Sequence, residues 1–512
     1  MPTTAARRRP LLALALGALT GAALTVPAPA LAVEADTPAC DAPVASTTQP
    51  GYTVADPDCD VPSGRPFTAL PGARVFTGID DGQAYRIEVP DDWNGDLVVH
   101  AHGYRGTGTT VHVDSPALRQ HFIDRGYAWA ASSYQTNGYD VEQGVEDSHD
   151  MLERFRSVVP GGQTLDEVVM HGLSMGGHIT AVEVERHPET FAAAYPVCGV
   201  LGDAALFDYH LGAVATAAAL AGAPLGYEEY VANPTAYARV VTGQVLPELF
   251  TQRPTPKAAG ERWSGALEQL SGGERPGFES AFAYWNTPAL DPVPGLPYLF
   301  TLYPGLHGGT AGVATGNVAG NEGLVYQLDA DPGVSQVEAV LNKEVRRVAR
   351  DPRAEGIPGV AADTAVPVLS LHDLGDLFVP FSMEQVYAAE AADNGTEFVS
   401  RAIRANGHCD FTVGELAKGF DDLVRWTRTG RAPAGDDVFD PDAVAAPTFG
   451  CRFSETARLT FVAEACPTFP DVEGSVHARA IRAQLAAGVV RGFADGAFRP
   501  DERITRGQVA SV

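Results

Sequence analysis

The first ordered element that the pattern of apolar and polar residues predicts is a β-hairpin. Arg74–Ile79 and Ala84–Val89 are rich in strand-forming residues, and the turn sequence Asp80-Asp81-Gly82 lies between them. An Asp-Gly turn between two such runs favours a tight connection between neighbouring strands. We therefore expect a hairpin at the start of the folded region.

Strands and helices then alternate along the chain. Strands are predicted for the apolar runs, which are Leu97–Ala101, Ala128–Tyr134, Glu167–His171 and Ala192–Cys198. Helices are predicted for the segments between them, which are Pro116–Arg125, Val141–Val158 and Met175–Arg186. This alternation is typical of an α/β fold. The sequence thus predicts a doubly wound, mostly parallel sheet, whose first part lies in residues 70–201.

A long interruption follows over residues 202–363. It contains Ala-rich helical patches, Pro-rich turns and the Gly-rich stretch Leu306–Gly323, and it is too long to be a loop. We interpret it as an inserted cap domain. The alternation resumes in residues 364–433, which we assign to the second part of the core. Its predicted strands are Val366–His372 and Glu397–Arg404, and its predicted helices are Met383–Ala392 and Val413–Thr429.

The N-terminus has the features of a secretion signal. Arg7–Arg9 precede the apolar run Leu11–Val26, and Ala30–Ala32 supply the small residues that a signal peptidase requires. A membrane anchor is the alternative, but the run is shorter than the roughly 20 residues that cross a bilayer. We predict a secreted, extracellular protein with a signal over residues 1–32 and no membrane span. Residues 33–69 are predicted to be an extended leader rich in Pro and Asp.

Composition and charge exclude several classes of protein. Of the 512 residues, 45% are hydrophobic and 20% are charged, a balance that supports a large core and argues against a disordered chain. The formal net charge of −28 is unfavourable for binding to phosphate backbones. We therefore predict no nucleic-acid partner.

The six cysteines can form disulfides in an exported chain. Closeness in sequence favours Cys40 with Cys59, and Cys451 with Cys466 in a predicted linker over residues 434–468. That choice leaves Cys198 with Cys409, although other pairings stay open at this point. No two cysteines have the CxxC spacing of a metal site, so no metal is predicted.

The sequence Gly172-Leu173-Ser174-Met175-Gly176 lies between a predicted strand and a predicted helix. This is the context of a nucleophile elbow, in which the serine occupies a sharp turn and its small neighbours let the strand and the helix pack closely. The helix that follows directs N–H groups toward a developing oxyanion. We predict Ser174 as the nucleophile, although an isolated match can also be an ordinary glycine turn.

A second motif, His102-Gly103-Tyr104-Arg105-Gly106, directly follows the strand Leu97–Ala101. Hydrolases with a nucleophile elbow place their other oxyanion donor at this point of the chain. We predict an oxyanion hole formed by the backbone N–H groups of Tyr104 and Met175. The alternative is a turn that the two glycines stabilise.

A nucleophilic serine requires a base and an acid that orients the base, here in the chain order Ser, Asp, His. Asp376 follows the first strand of the second core part in an Asp-x-x-Val-Pro sequence and is the predicted acid, with Asp373 as the competing candidate. His408 follows the next strand and is the predicted base. His171 and His178 lie on the strand and helix that flank Ser174, so we predict structural roles for them.

These four motifs, in this order, resemble the α/β-hydrolase superfamily over residues 70–433, apart from the inserted segment. The resemblance implies the α/β-hydrolase fold and the mechanism of a serine hydrolase. In that mechanism His408 accepts the proton of Ser174, Asp376 holds the imidazole, and an acyl-enzyme forms and is hydrolysed by water. No cofactor is required.

The motifs are less specific for the substrate. The elbow and the His-Gly-Tyr sequence are similar to those of secreted carboxylesterases. The cysteine directly after His408 is similar to that of lidded esterases of the feruloyl esterase and tannase type, although Leu173 stands where that family has the partner cysteine. We therefore expect an ester substrate, either a small molecule or a polymer.

Two alternatives to an esterase stay open. One is a secreted serine peptidase of the prolyl oligopeptidase or proline iminopeptidase type, whose elbows often have tyrosine where this chain has Met175. The other is a non-catalytic scaffold at the cell wall. Substrate choice depends on the cap, and we expect most of its aromatic residues to lie in the core of the cap. These residues include Tyr209, Tyr227, Tyr230, Phe282, Tyr284, Trp285 and Tyr303.

Residues 469–512 resemble the S-layer homology module. The resemblance rests on Phe469–Val472, on an amphipathic helix over Ala478–Ala487 and on the sequence from Asp495 to Pro500. It implies a small helical module, incomplete at Val512, and a cell-wall polymer as a partner.

Overall fold

An eight-stranded sheet forms the centre of the computed structural model, which describes residues 40–223, 233–302, 317–351, 357–455 and part of 466–500. In chain order its strands are β1 (Ala73–Asp80), β2 (Gln83–Pro90), β3 (Leu97–Ala101), β4 (Ala128–Ser132), β5 (Val168–Leu173), β6 (Ala193–Val197), β7 (Val368–Asp373) and β8 (Phe398–Ile403). Their order across the sheet is β8-β7-β6-β5-β3-β4-β2-β1.

The strand directions confirm the predicted fold class. β1 and β2 pair antiparallel over their whole length, which confirms the predicted hairpin. β2 also pairs antiparallel with β4, and all other neighbours in the sheet are parallel. This mostly parallel sheet, in which β3 and β4 exchange places, is the α/β-hydrolase fold that the sequence predicts.

Helices connect the strands and cover both faces of the sheet. In chain order they are α1 (Arg119–Asp124), α2 (Val141–Val158), α3 (Met175–Arg186), α4 (Ala205–Leu220), α5 (Pro234–Val240), α6 (Leu246–Leu249), α7 (Ala258–Leu270), α8 (Phe278–Trp285), α9 (Tyr298–Leu302), α10 (Gln336–Glu344), α11 (Ser382–Asn394), α12 (Val413–Thr429) and α13 (Pro441–Val444). Short π and 3-10 turns cover Val241–Val245, Pro288–Leu290 and Pro470–Val472. Side chains of α2, α3 and α11 pack in one hydrophobic layer, and those of α1 and α12 in another.

The central strands are apolar on both faces because both faces are covered. Along β3, Leu97 and Val99 belong to the layer that contains α2 and α3, whereas Val98 belongs to the layer that contains α1 and α12. All three side chains are fully buried. A parallel sheet with helices on both sides requires such continuous apolar runs, which explains why these strands could be recognised from the sequence.

The inserted segment between β6 and β7 contains a group of packed aromatic side chains. Trp263 of α7 is fully buried and packs against Phe250, Phe282 and Phe300, with ring centroids 5.4 to 6.1 Å apart. Its indole N–H donates to the carbonyl of Ala213 in α4. These aromatic residues belong to the same hydrophobic cluster as the sheet residues that face α2 and α3, so the apolar interior is continuous. Two short strands, Phe250–Gln252 and Thr255–Pro256, also belong to this segment.

Part of the predicted leader packs on the sheet. It contains four two-residue strands, Val44–Ala45, Thr53–Val54, Cys59–Asp60 and Arg65–Pro66, and the second pairs with Thr110–Val111. The buried Arg86 of β2 donates to the carbonyls of Pro57 and Cys59 at 2.6 and 2.8 Å. Burial lowers the pKa of this guanidinium to about 10. Arg86 thus fastens the segment to the core.

Part of the predicted linker also contacts the core. Arg404, directly after β8, donates from Nε to the carbonyl of Phe449 at 2.8 Å and from its backbone N–H to Ser454 Oγ at 2.7 Å. The Phe449 ring packs against Phe381, with centroids 5.9 Å apart. Residues 435–455 therefore extend the packed region beyond the predicted end of the core at residue 433.

Three disulfides join Cys40 to Cys59, Cys198 to Cys409 and Cys451 to Cys466. This is the pairing that the sequence favours, and disulfides of this number are typical of proteins from oxidising compartments.

The two ends of the chain are described only in part. The predicted signal over residues 1–32 and most of the predicted helix Ala478–Ala487 lie outside the described residues. Near the C-terminus the carboxylate of Asp471 accepts a hydrogen bond from the backbone N–H of Phe498 at 3.0 Å. No helix within the described ranges is long and apolar enough to cross a membrane.

Candidate active site

Ser174 occupies the turn between β5 and α3 with φ of 58° and ψ of −120°. A non-glycine residue rarely adopts such a positive φ, and the surrounding packing must hold it there. The neighbouring glycines explain how this is possible. A Cβ added to Gly172 would collide with the carbonyl oxygen of Gly176, and one added to Gly176 would collide with the carbonyl oxygen of Ala101. The glycines therefore let strand and helix approach closely enough to form the elbow.

The three predicted catalytic side chains meet at one point. His408 Nε2 lies 2.8 Å from Ser174 Oγ, and His408 Nδ1 lies 2.6 Å from Asp376 Oδ2. In the neutral imidazole, Nδ1–H donates to the carboxylate and Nε2 accepts from the serine hydroxyl. Asp376 is fully buried, Ser174 is 8% exposed, and the side chain of His408 is 18% exposed. The arrangement can move a proton from Ser174 to His408 while a carboxylate holds the imidazole.

The two candidate acids have different partners. Asp376 Oδ1 accepts from the backbone N–H groups of Phe378 and Val379 at 2.8 and 3.0 Å, which leaves Oδ2 directed at His408. Asp373 Oδ2 accepts from the backbone N–H of Asp410 at 2.8 Å. Asp373 thus contacts the loop that carries His408, whereas Asp376 contacts the imidazole itself.

The His-Gly-Tyr motif lies against the nucleophile. A Cβ on Gly103 would meet Ser174 Cβ and the carbonyl of Leu173, each at 3.2 Å, so this loop passes close to the serine. The His102 ring stacks on Tyr134, with centroids 3.9 Å apart, and its Nδ1 lies 2.8 Å from the carbonyl of Gly103. Burial holds the pKa of His102 well below its usual value, so this histidine is a neutral support of the loop.

The two predicted oxyanion donors lie on different elements, one directly after Ser174 and one directly after Gly103. Met175 is the first residue of α3, and the first N–H groups of a helix have no acceptor within the helix. Tyr104 follows Gly103, and its side chain is 40% exposed. Both N–H groups are therefore close in the chain to atoms that contact the nucleophile.

The disulfide between Cys198 and Cys409 ties the region of Ser174 to the loop of His408. Cys198 directly follows β6, and the carbonyl of Val197 accepts from the N–H of Ser174 at 3.1 Å. Cys409 directly follows His408, and the two Cα atoms of the disulfide are 5.3 Å apart. One covalent bond therefore links the residues beside Ser174 with the residue beside His408.

The inserted segment holds both loops of the candidate site, a relationship that sequence reasoning missed. Trp285 of α8 directs its indole N–H at the carbonyls of Gly375 and Asn406, each at 2.8 Å. Arg275 donates from Nε to the carbonyl of Leu374 at 2.7 Å. Burial lowers the pKa of the Arg275 guanidinium to about 10. A buried indole N–H requires an acceptor, but nothing in the sequence indicates which carbonyl accepts it.

Two aromatic side chains pack in sequence beside His408. The Phe378 ring contacts His408 edge-on with centroids 4.7 Å apart, and Tyr298 contacts Phe378 at 5.1 Å. Burial raises the pKa of Tyr298 to about 12, so its hydroxyl stays protonated at neutral pH. Of the predicted cap aromatics, Tyr209 and Phe282 are buried in the core. Tyr227, Tyr230 and Tyr303 lie outside the described residues.

His171 and His178 do not contact the Ser174 hydroxyl in the manner of a base. His171 Nδ1 donates to the carbonyl of Tyr195 at 2.9 Å. His178 Nε2 donates to the carbonyl of Pro358 at 2.8 Å, and its Nδ1 accepts from the hydroxyl of Tyr139 at 2.9 Å. Burial lowers the pKa of both imidazoles to about 4. They are neutral structural residues, as their positions on β5 and α3 predict.

Within the described ranges, two groups of three side chains place potential metal-ligand atoms within 4.8 Å of one another. Cys198, His408 and Cys409 form one group, but both of its sulfur atoms are joined in the disulfide and cannot bind a metal as thiolates. His149, Glu183 and His187 form the other group, on α2 and at the end of α3.

Comparison with known proteins gives a family match at the C-terminus, a distant relative in sequence and structural neighbours. Residues 468–510 match the family model of the S-layer homology domain, which confirms the resemblance seen in the sequence. An o-phthalyl amidase from Xanthobacter agilis is 23% identical over 422 residues, which cover 70% of this chain and 87% of that protein.

Two solved structures illustrate the structural neighbours. Feruloyl esterase B from Aspergillus oryzae aligns with a TM-score of 0.43 and 14% identity, over 73% of this chain and 84% of that chain. The acylaminoacyl peptidase of Pyrococcus horikoshii aligns with a TM-score of 0.34 and 12% identity, over 72% of this chain and 43% of that chain.

Proposed function

We propose that this protein is a secreted serine hydrolase that cleaves carboxylic esters through an acyl-enzyme. One observation carries the proposal. Ser174, His408 and Asp376 form an uninterrupted hydrogen-bonded series at 2.8 and 2.6 Å, and its acid is fully buried. This is the arrangement that activates a serine for attack on a carbonyl.

The first half of the reaction forms the acyl-enzyme. Ser174 Oγ attacks the ester carbonyl while its proton passes to His408 Nε2, and Asp376 stabilises the imidazolium that results. The tetrahedral oxyanion accepts hydrogen bonds from the backbone N–H groups of Tyr104 and Met175. His408 then gives its proton to the leaving alkoxide, the C–O bond breaks, and an alcohol departs.

The second half hydrolyses the acyl-enzyme. His408 removes a proton from a water molecule that attacks the acyl carbonyl, and the same N–H groups stabilise the second oxyanion. Collapse of this intermediate returns the proton to Ser174 Oγ and releases the carboxylic acid. Every proton is transferred by His408.

The surroundings of the base favour an ester with an apolar group. Phe378 and Tyr298 present aromatic surface beside His408, and Tyr104 is partly exposed next to the nucleophile. The guanidinium of Arg275 is buried and donates to the carbonyls of Leu374 and Gly273 and to Ser271 Oγ. It therefore does not serve as a binding group for the charged terminus of a peptide. This environment supports an esterase over a peptidase that holds a charged chain end.

Hydrolysis of an aryl amide is the second candidate. The specific observation in its favour is the similarity to the o-phthalyl amidase, which extends over 422 residues. The same three side chains serve both reactions, because His408 can protonate a leaving amine as well as a leaving alcohol. The substrate alone separates the two candidates.

A single assay plate tests these proposals. The purified protein is incubated with p-nitrophenyl esters of increasing acyl length, with aryl amides and with amino-acid p-nitroanilides. We expect ester cleavage that falls on the order of a million-fold in Ser174→Ala. The matched control is Ser157→Ala, because Ser157 is an exposed serine of α2 whose hydroxyl donates to the carbonyl of Arg154 in the same helix. Faster serine-dependent cleavage of aryl amides than of esters would assign an amidase instead.

A covalent probe distinguishes a non-catalytic scaffold from an active enzyme whose substrate is absent from the assay. A fluorophosphonate reacts with an activated serine regardless of substrate preference. We expect mass spectrometry to find the label on Ser174, and no label on the Asp376→Asn and Ser174→Ala variants under the same conditions. An unlabelled wild-type protein would favour the scaffold.

The S-layer homology segment supports a place at the cell surface with a cell-wall polymer as partner. Sedimentation with purified cell-wall sacculi tests this part of the proposal. We expect the full chain to co-sediment and a chain that ends at residue 467 to remain in the supernatant with its esterase activity intact. Equal recovery of both proteins in the supernatant would contradict wall binding.

A further inference from the structure

Two helices bring a carboxylate and two imidazoles together outside the proposed catalytic site. His149 lies on α2, Glu183 lies on α3, and His187 directly follows α3. His149 Nδ1 is 2.6 Å from Glu183 Oε1, and the rings of His149 and His187 are 4.2 Å apart between centroids. One donor atom from each of the three side chains lies within 4.8 Å of the other two.

The local structure explains why these donors converge. Glu183 and His187 are four residues apart, which places them on one face of α3 and its last turn. α2 packs along this face and supplies His149 from the opposite side. The cluster therefore depends on the packing of α2 against α3 as well as on the helical spacing.

Among the described residues, the carboxylate of Glu183 has a hydrogen-bond partner on one of its two oxygens only. Its side chain is fully buried, Oε1 contacts His149, and Oε2 has no hydrogen-bond partner within the part of the chain that the structure describes. A buried carboxylate oxygen without a partner costs free energy, and a cation is one means of satisfying it. This observation separates the cluster from an ordinary surface pair of histidine and glutamate.

We propose that His149, Glu183 and His187 bind a zinc ion. Two imidazole nitrogens and one carboxylate oxygen are a donor set that Zn²⁺ accepts, and water can occupy the fourth position. Zinc distances of about 2.0 to 2.2 Å require the three donor atoms, which lie within 4.8 Å of one another, to shift by on the order of 1 Å. The side chain of His149 is 36% exposed, so it can rotate and the ion can enter from solvent.

The ion would act as a clamp between two helices. Its bonds replace the direct hydrogen bond between His149 and Glu183 and add His187, so one ligand of α2 is joined through the ion to two ligands at the end of α3. α3 starts at Met175, directly after Ser174, and its position supports the nucleophile elbow. The site is separate from the proposed triad, because no hydrogen bond among the described residues joins its three ligands to Ser174, His408 or Asp376.

Calorimetry on the tag-free full chain tests the proposal. The protein is treated with EDTA, freed of chelator and titrated with ZnCl₂ at pH 7.5. We expect one zinc ion per chain, and we expect His149→Gln and His187→Gln each to weaken binding by at least ~10-fold. Both histidines are partly exposed, so these variants should fold, and circular dichroism verifies that they do.

The matched control is His121→Gln. His121 also pairs with a carboxylate, that of Asp421 at 2.8 Å, but it is not part of a three-donor cluster within the described residues. Its loss should leave the stoichiometry and affinity unchanged. Zinc should also raise the Tm of the wild type and of His121→Gln by more than it raises that of His187→Gln. Absence of binding at 100-fold excess zinc over ~1 µM protein, or binding that survives both ligand substitutions, would overturn the proposal.

Discussion

The indole N–H of Trp285 points at the carbonyl of Gly375, with 2.8 Å between Nε1 and the oxygen. Gly375 directly precedes Asp376, and the same N–H lies 2.8 Å from the carbonyl of Asn406, two residues before His408. One side chain of the inserted segment thus bridges the loop of Asp376 and the loop of His408. The inserted segment is therefore part of the support of the candidate site.

Replacement of Trp285 by phenylalanine should reduce catalysis more than binding. Phenylalanine keeps much of the packing but leaves two carbonyls without their shared donor, so the loops of Asp376 and His408 lose their common support. A displacement of catalytic groups by about 1 Å can cost up to ~100-fold in rate. We expect kcat to fall by roughly 10- to 100-fold with a small change in KM, measured with a p-nitrophenyl ester.

Trp263→Phe is the matched control for this variant. Trp263 is also a buried tryptophan of the inserted segment, but its N–H donates to Ala213 in α4 and not to a loop of the site. Loss of that hydrogen bond should lower the Tm, since an unpaired buried carbonyl costs about 1 to 3 kcal/mol, and should leave kcat nearly unchanged. Equal kcat values in the two variants would show that Trp285 acts on stability alone.

Substitution of the two neighbouring aspartates should separate their roles. Asp376→Asn removes the carboxylate that holds Nδ1–H of His408, and we expect kcat to fall by about 10⁴-fold. Asp373→Asn keeps an oxygen that can accept from the N–H of Asp410, so we expect a change within ~10-fold. Steady-state kinetics on both variants, with Tm values to verify folding, decides between them. A larger loss in Asp373→Asn would make Asp373 the orienting acid.

The local parts of this structure could be predicted because their signals are local. α2, α3 and α12 begin and end where the sequence predicts, since each has a continuous helical pattern and a clear start. For α2 and α12 that start is the capping side chain of Asp140 or Thr412. The three predicted catalytic residues follow the ends of parallel strands, so the strand order alone brings them to one edge of the sheet.

The contacts between distant segments could not be predicted in this way. Trp285 and Gly375 are 90 residues apart, and no motif joins them. The sequence predicts Arg86 only as a member of a strand, yet its side chain binds the carbonyls of Pro57 and Cys59 in the predicted leader. In both cases the partner is a backbone carbonyl, which every residue possesses. The sequence therefore contains no record of which carbonyl is used.

Removal of the disulfide beside the base should lower both stability and activity. In a Cys198→Ser/Cys409→Ser double variant we expect the free energy of unfolding to fall by roughly 2 to 5 kcal/mol. We also expect kcat to fall, because the bridge holds the residue next to His408 against the residues next to Ser174. Urea denaturation and ester kinetics measure the two effects.

The disulfide between Cys40 and Cys59 provides the comparison. It closes a short loop of the N-terminal segment, so the Cys40→Ser/Cys59→Ser double variant should lose stability but keep its kcat. Full activity of the Cys198→Ser/Cys409→Ser variant below its melting temperature would show that the bridge does not position His408.

The buried histidines should make the protein sensitive to acid. His178 is fully buried, and burial lowers its folded-state pKa to about 4, against an ordinary value of 6.5. Above pH 6.5 both folded and unfolded chains hold it neutral. As the pH falls from 6.5 toward 4, His178 becomes protonated in the unfolded chain but stays neutral in the folded chain. The free energy of unfolding therefore decreases progressively. A difference of this size corresponds to about 3 kcal/mol at one position.

A His178→Gln variant isolates this effect from the rest of the protein. Glutamine can still donate to the carbonyl of Pro358 but does not titrate. We expect the variant to have a lower free energy of unfolding than the wild type at pH 8. The difference between the two free energies should narrow by up to about 3 kcal/mol between pH 6.5 and 4, because only the wild type loses stability through this imidazole. Buried acids such as Asp147, whose pKa burial raises to about 7, act in the opposite direction and cancel in the comparison. Urea denaturation at pH 8, 6.5, 5.5 and 4.5 measures the gap. The exposed His477→Gln variant is the control and should follow the wild type at every pH. A constant gap for His178→Gln would mean that this imidazole does not contribute to acid sensitivity.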